Sequence, residues 1–125
     1  MKITDGKEIA DQINLAVGIH GLWKSRITDA INTGKSEWEP AFVTPCGNCD
    51  FGKWLDGLDE ENKTEEFQKV YAIHSDFHKE AGRILAMALD GKKSDAEAAV
   101  DEGSEYQKLT SSLTLAMMGW KRAAA

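Results

Sequence analysis

Apolar residues recur along most of the chain at alternating intervals of four and three residues. This spacing places them on one face of an α-helix and is typical of helices packed in a bundle. It predicts three long helices, over about residues 5–34, 64–90 and 94–121. The predicted buried faces comprise Ile9, Ile13, Ala16, His20, Trp23, Ile27 and Ala30, then Phe67, Tyr71, His74, His78, Ala81, Leu85 and Ala88, and finally Tyr106, Leu109, Leu113, Ala116 and Trp120.

Capping residues support several of these helix ends. Thr64 is suited to cap the start of the second helix, and Gly34 and Gly91 are suited to end the first and the second. Ser94 and Glu97 form a capping-box pattern at the start of the third. These residues indicate helix ends independently of the apolar pattern.

The segment between the first two long helices has a different character. Both prolines of the chain, Pro40 and Pro45, lie within residues 35–49, which predicts a loop. Residues 50–56 carry apolar side chains on one face and predict a short helix. The predicted fold is therefore all-α, an antiparallel bundle of three long helices with one short helix, in a single domain of residues 1–125.

Charge and hydropathy narrow the classes of function. The net charge is −6, with 21 acidic and 15 basic residues, and no stripe of Lys and Arg indicates a nucleic-acid partner. No apolar run approaches the roughly 20 residues that cross a bilayer, so we expect no membrane segment in this chain and a cytoplasmic location. In a reducing compartment, two cysteines favour metal or redox chemistry over a disulfide.

All three histidines of the chain fall on the predicted buried faces. Neutral imidazoles buried together need separate hydrogen-bond partners, and charged ones repel each other. A shared cation removes both difficulties. His74 and His78 are four residues apart, so their rings lie one turn apart on one helix face, and His20 comes from a different helix. The pattern predicts a metal site between two helices.

A fourth ligand is needed beside the three imidazoles. Cys49 lies at the start of the short helix, where backbone N–H groups and the helix dipole favour a thiolate. With His20, His74 and His78 it offers three nitrogens and one sulfur, a set that suits tetrahedral Zn²⁺. Cys46 and Cys49 also form a Cys-x-x-Cys pair, so a Cys₂His₂ site that omits His20 is an alternative that spacing leaves open.

Three sequence motifs together resemble those of a known family. They are His20-Gly21-Leu22-Trp23, Cys49-Asp50-Phe51-Gly52-Lys53-Trp54 and His74-Ser75-Asp76-Phe77-His78. A histidine followed by an aromatic residue, a Cys-x-apolar-Gly-x-aromatic block and a His-x-x-x-His resemble the chemoreceptor zinc-binding domain, a bacterial sensory module. The motifs span residues 20–78, and the helical flanks extend the resemblance over nearly the whole chain.

The resemblance implies a zinc site and a regulatory role. By position, it implies that the ligands are His20, Cys49, His74 and His78, which favours this set over the one containing Cys46. Members of that family are attached to chemoreceptors and diguanylate cyclases, where zinc occupancy or oxidation of the ligand cysteine alters signalling output. They are commonly homodimers, so we expect a homodimer here. The resemblance also implies supporting roles around the site for Trp23, Phe51, Gly52 and Trp54.

No enzyme activity is expected. Four protein ligands leave no position for a catalytic water, and the motif between His74 and His78 lacks the glutamate of a zinc protease. The alternatives are a haemerythrin-like bundle that binds oxygen, an enzyme with Cys49 as nucleophile, and a plain dimerisation bundle. Cys46 is a departure from the family pattern, and our hypothesis is that it acts as a redox partner of Cys49.

Overall fold

A computed structural model describes residues 6–124 of the chain, and all regular structure in this part is helical. The α-helices are α1 (Gly6–Gly21), α2 (Trp23–Thr33), α3 (Pro40–Val43), α4 (Asp50–Asp56), α5 (Glu65–Leu89), α6 (Lys93–Val100) and α7 (Glu105–Ala124). Short 3₁₀ helices are formed by Cys46–Asn48 and Glu60–Asn62. The predicted all-α bundle is confirmed.

Helix α5 is the central element of the bundle. It packs extensively against α7 and also contacts α2, α3 and α6, while α1 packs against α7. The core between them contains large side chains with no exposed surface, among them Ile13, Ile27, Leu55, Phe77 and Ile84. Most of the predicted buried faces lie in this core, although Tyr71, Leu109 and Ala116 are only half-buried.

The first predicted helix, about residues 5–34, is divided in two. Helix α1 ends at Gly21 and α2 begins at Trp23, and the N–H of Leu22 bonds to the carbonyl of Ile19, which tightens one turn. Glycine is a poor helix former, which explains the position of the break. Gly34 ends α2 in the left-handed conformation, with φ of 72°, as the sequence predicts. The predicted start at residue 5 lies outside the described residues.

The last predicted helix, about residues 94–121, is also divided. Helix α6 ends at Val100 and α7 begins at Glu105, and between them Gly103 takes a left-handed φ of 83°. The backbone N–H of Gln107 donates to Ser104 Oγ, which caps the start of α7. These turn and capping residues outweigh the continuous apolar spacing, so the chain bends where one helix was predicted.

Two of the predicted local features have different outcomes. The capping box of Ser94 and Glu97 is wrong: α6 begins at Lys93, and its N-cap, Lys92, makes no side-chain cap bond. Ser94 therefore lies inside the helix. The Thr64 cap is confirmed, because its side chain accepts a hydrogen bond from the N–H of Phe67 at the start of α5.

The segment over residues 35–49 is less irregular than a simple loop. Pro40 occupies the first turn of α3, where its missing N–H has no cost, and a 3₁₀ turn follows at Cys46–Asn48. The predicted short helix over residues 50–56 is α4, and Gly57 caps its end. Together α3 and α4 place Cys49 against the side of α5.

The helices of the described residues include none that is both long enough and apolar enough to span a bilayer. The longest helix is α5, and the buried residues on its core face include two histidines, His74 and His78, and one glycine, Gly82.

Candidate metal centre

Three separate elements bring four potential ligands to one point inside the bundle. His20 lies at the end of α1, Cys49 is the N-cap residue of α4, and His74 and His78 lie one turn apart on α5. Their ligand atoms all lie within 4.8 Å of one another. The histidines are buried, with 4%, 0% and 2% of the surface of His20, His74 and His78 exposed, and Cys49 is half-buried.

The spacing of the ligand atoms fits a tetrahedral zinc ion. Zn–N bonds of about 2.05 Å and a Zn–S bond of about 2.3 Å place two nitrogens about 3.3 Å apart, and a nitrogen and a sulfur about 3.6 Å apart. His20 Nε2 lies 3.0 Å from His74 Nε2 and 3.3 Å from His78 Nε2. Cys49 Sγ lies 3.4 Å from His74 Nε2 and 3.9 Å from His20 Nε2.

Two main-chain carbonyls set the tautomers of His20 and His78. His20 Nδ1 donates to the carbonyl of Ala16 at 2.8 Å, and His78 Nδ1 donates to the carbonyl of Val43 at 2.8 Å. A carbonyl oxygen only accepts, so in the neutral rings Nδ1 carries the proton and Nε2 is a bare lone pair. Such outer bonds orient metal-binding imidazoles. Two lone pairs 3.3 Å apart with no proton between them favour a bound cation.

His74 is held by packing rather than by an outer hydrogen bond. Its Nδ1 is buried and has no hydrogen-bond partner among residues 6–124. The ring of Phe51 meets it edge-on at a centroid distance of 5.2 Å, and the ring of His78 lies at 4.5 Å. The position of this imidazole therefore depends on α4 and α5 remaining in contact.

Burial keeps the three imidazoles neutral. Loss of solvent lowers the pKa of His74 to about 2, with a further contribution from its two neighbouring histidines. Loss of solvent lowers the pKa of His20 to about 4 and also lowers that of His78, while the bonds to Ala16 and Val43 act in the opposite direction. Near neutral pH each ring therefore carries a single proton, and in His20 and His78 the other nitrogen, Nε2, is available to a metal.

The Cys49 sulfur caps α4 and faces the histidines at the same time. It accepts a hydrogen bond from the N–H of Gly52 at 3.3 Å. Burial raises the pKa of the Cys49 thiol in the metal-free site and outweighs the N–H groups of Gly52 and Phe51, which favour the thiolate as expected. A metal that binds this sulfur must displace its proton.

The predicted supporting residues lie at different distances from the ligands. Gly52 is in close contact with the loop before α4, since a Cβ there would overlap the carbonyl of Cys46. Phe51 packs against both His20 and His74. Trp23 is buried beside the site, whereas Trp54 stacks on Phe51 and its Nε1 donates to Glu8 at 3.2 Å, away from the ligands.

Cys46 is not among the clustered ligands. The cluster contains Cys49 and all three histidines, and the carbonyl of Cys46 lies 3.5 Å from Cys49 Sγ. The two cysteines are not bonded to each other. The geometry therefore favours the three-histidine, one-cysteine set over the alternative Cys₂His₂ set.

Two contributors to the site were absent from the sequence prediction. Phe77 packs edge-on against His20 and His78, with centroid distances of 5.4 and 5.7 Å. Its place within the His74-to-His78 motif, beside a ligand, could have indicated this role. The carbonyl of Val43 lies 35 residues from His78 in sequence, and no local pattern indicates that contact.

The fold and the cluster define a class: a small helical-bundle domain with a buried three-nitrogen, one-sulfur metal site. Residues 20–85, a little over half of the chain, match the chemoreceptor zinc-binding domain family. The chain belongs to the chemoreceptor zinc-binding domain family, and its cofactor is Zn²⁺. Neither a curated protein nor a solved structure was found to match the chain.

Proposed function

We propose that His20, Cys49, His74 and His78 together bind one Zn²⁺ ion. The observation that carries the proposal is the pair of bare Nε2 lone pairs of His20 and His78, 3.3 Å apart and fixed by carbonyls on the opposite side of each ring. The donor set and its distances suit tetrahedral zinc. The cluster contains no carboxylate, which argues against a di-iron site of the haemerythrin kind.

Elemental analysis of purified variants tests this ligand set. We expect about one zinc per chain in the wild type and in Cys46→Ala, and at least a tenfold lower zinc affinity in Cys49→Ala and His20→Ala. Retention of zinc by Cys49→Ala with wild-type affinity would contradict the proposal. That result would instead favour three histidine ligands with Cys49 as a nucleophile.

We further propose that the site regulates signalling rather than catalysis. The ligands connect α1, α4 and α5, so bound zinc would supply a cross-link among three elements that are far apart in sequence. When Cys49 leaves the site, α4 loses the contact of its sulfur with His74 of α5 and the sulfur that caps its first turn, although the hydrogen bond from Tyr71 of α5 to Asp56 of α4 remains. Such an element has two states, as a sensor requires.

Membership of the family supports the kind of partner that we propose. The chain would act as a single cytoplasmic regulatory domain, a homodimer, that controls a chemoreceptor or a diguanylate cyclase in cis or in trans. Zinc occupancy or oxidation of Cys49 would be the input. Joining the chain to a cyclase and measuring cyclic-di-GMP production with zinc and with chelator tests this, and equal output in both conditions would contradict it.

We propose in addition that Cys46 acts as a redox partner of Cys49. The Cys49 thiolate would attack one oxygen of a peroxide, and the O–O bond would break. The cysteine becomes a sulfenic acid, and the other oxygen leaves as hydroxide, or as an alkoxide when the peroxide is organic. The Cys46 thiol would then attack that sulfur, forming the disulfide and releasing water. Both thiols are free, both residues are half-buried, and Cys46 lies in the 3₁₀ turn immediately before Cys49.

Oxidation of zinc-loaded protein, followed by disulfide mapping, tests the role of Cys46. Hydrogen peroxide should release zinc and form the Cys46–Cys49 disulfide in the wild type, and a thiol reductant should restore zinc binding. Cys46→Ser should instead accumulate sulfinic acid at Cys49 and recover little zinc. Equally reversible zinc release in Cys46→Ser would show that Cys46 is not needed.

A further inference from the structure

A cavity lies beside the metal centre, on the side of the bundle formed by α1, α2, α3 and the start of α4. Its volume is about 440 Å³, which is within the range of small-molecule sites, about 300–1,000 Å³. His20, Cys49 and His78 form part of one wall. The cavity is therefore open to the site described above but extends well beyond it.

The mouth of this cavity is unusually apolar for an exposed surface. Leu15 and Ile19 from α1 and Phe42 from α3 line it, with 61%, 40% and 51% of their surfaces exposed. Scattered single apolar residues are common on protein surfaces, but three large ones around one opening form a patch that favours an apolar ligand.

Arg26 provides a positive charge at the same cavity. Its guanidinium carbon lies 4.8 Å from the ring centroid of Trp23 and 4.6 Å from that of Trp38, so the two indoles hold it in place. No carboxylate of residues 6–124 forms an ion pair with it. An arginine fixed by aromatic rings and lacking an acidic partner is suited to bind a carboxylate through its N–H groups.

The charge of the cavity is opposite to that of the whole chain. Arg26 and Lys53 line it against one acidic residue, Asp50, although the chain carries a net charge of −6. Three neutral imidazoles and a thiolate around Zn²⁺ leave one further positive charge in the wall. The combination of an apolar mouth and a positively charged lining favours a ligand with an apolar body and one anionic group.

We propose that this cavity binds a small amphiphilic carboxylate, with its apolar body against Leu15, Ile19 and Phe42 and its carboxylate on Arg26. The body is either the aliphatic chain of a medium-length fatty acid or the ring of an aryl-acetic acid. Both kinds of acid present an apolar body and one carboxylate to the cavity. This binding site shares His20, Cys49 and His78 with the proposed zinc site and rests on that site for part of its positive charge, but it does not depend on the proposed signalling role.

Calorimetric titration of the zinc-loaded full chain tests the proposal with matched acids and neutral compounds. Octanoate is compared with octanol, and indole-3-acetate with 3-methylindole. We expect at least one acid to bind tenfold or more tightly than its neutral partner, and the tighter acid identifies the body as aliphatic or aromatic. If neither acid binds more tightly than its neutral partner, the proposal is wrong.

Two pairs of variants locate the ligand. Arg26→Gln should weaken binding of the acid about tenfold without affecting the neutral compound, whereas Lys24→Gln, exposed on the same helix but outside the cavity, should have no effect. Leu15→Glu places a negative charge at the exposed mouth and should abolish binding. Leu115→Glu, at an exposed leucine of α7, is its control. Unchanged affinity in both Arg26→Gln and Leu15→Glu would overturn the proposal.

Cysteine reactivity gives a readout that needs no metal. In zinc-free protein with Cys46→Ser, the ligand should slow alkylation of Cys49 at least threefold, since Cys49 is in the cavity wall. Unchanged alkylation at a saturating concentration of the acid would contradict the location. If no acid binds and Leu15→Glu instead lowers the oligomeric mass in sedimentation, the mouth is a protein interface and the proposal is wrong.

Discussion

The outer hydrogen bonds of His20 and His78 show how single residues set the geometry of this site. The bond from His20 goes to Ala16, the residue one helical turn earlier, so it follows from helix geometry alone. The bond from His78 goes to Val43 in α3 and requires that α3 be folded against α5. The two imidazoles therefore depend on local and tertiary structure to different degrees.

At Gly52 we expect even the addition of one methyl group to disturb the site strongly. Gly52→Ala adds a Cβ that would overlap the Cys46 carbonyl and approach the Gly47 backbone, neither of which can rotate away. Overpacking of this kind costs about 1–3 kcal/mol. We expect that loss in the free energy of unfolding, with lower zinc affinity, measured by denaturant titration and by competition with a chelator.

Gly18→Ala is the matched control for this glycine. Gly18 is an exposed residue in α1, and nothing lies within 4 Å of a Cβ built there. Alanine is a better helix former, so this variant should gain about 0.5–1 kcal/mol. Equal stability of the Gly52 and Gly18 variants would contradict the close packing of α4 on the preceding loop.

The buried histidines also predict how the stability of zinc-free protein depends on pH. The pKa values of His20 and His74 are lowered to about 4 and about 2, so the unfolded chain takes up protons first as pH falls. The contribution of these histidines to the free energy of unfolding is fully present above their pKa in the unfolded chain, about 6.5. It is lost as pH falls below that value, at up to about 1.4 kcal/mol per pH unit for each histidine. We expect a loss on the order of 2–4 kcal/mol between pH 7 and pH 5.

Urea denaturation of zinc-free protein across this range is the measurement. His74→Gln has no titrating ring at the position with the lower pKa, so its stability should depend on pH less steeply than that of the wild type. A wild-type stability that is flat, or that rises from pH 7 to pH 5, would show that these histidines are not buried in the zinc-free state.

At the scale of the elements, the start of each helix contributes differently to stability. The side chain of Thr64 accepts the N–H of Phe67 and caps α5, the central helix of the bundle. Thr64→Ala should therefore lower the free energy of unfolding by about 1 kcal/mol. Thermal or denaturant unfolding of the zinc-loaded protein measures the loss.

Ser94 provides the comparison, because the sequence suggests a cap there and the structure has none. Ser94 is exposed and lies inside α6, so Ser94→Ala should change stability by less than about 0.5 kcal/mol. A larger loss in Ser94→Ala than in Thr64→Ala would reverse the assignment of the two caps.

Helix α4 shows how one side chain can serve an element and a site together. Cys49 Sγ accepts the N–H of Gly52 in the first turn of a helix of seven residues, and it also faces His20 and His74. A helix this short has little stability of its own. Its order is therefore coupled to whatever Cys49 binds.

At the scale of the whole molecule, this coupling predicts where zinc removal acts. Helix α5 is held by extensive packing with α7, whereas the short α4 is anchored by the buried Phe51 and Leu55, by the Cys49 sulfur and by two side-chain hydrogen bonds, from Trp54 to Glu8 and from Tyr71 to Asp56. We expect hydrogen exchange to become at least tenfold faster over residues 40–57 on zinc removal, with little change in the centre of α5. Mass-spectrometric exchange with and without chelator measures this.

Cys49→Ala is the control for that experiment. With zinc present, this variant should show the fast exchange of the metal-free wild type over residues 40–57. A uniform increase along the chain would indicate that zinc stabilises the whole fold. No increase over residues 40–57 would contradict the proposed two-state behaviour of α4.

Comparison of particular elements shows how far the sequence predicts this molecule. The apolar spacing predicts α5 almost residue by residue, since its caps and its pattern agree. The same spacing misses the breaks at Leu22 and at residues 101–104, because the apolar pattern continues across both breaks. The hydrogen bond from the N–H of Gln107 to Ser104 Oγ caps the helix after the second break, and the apolar spacing alone does not predict it.

The sequence by itself determined the helical class, the helix faces and the presence of three histidines on buried positions. Those features are set by spacings of three and four residues, which local helix geometry converts directly into a common face. Only the tertiary structure decided that Cys49, and not Cys46, faces those histidines, and that burial raises the pKa of its thiol. Ligand distance and desolvation depend on how α3 and α4 pack against α5, contacts that no local pattern in the chain records.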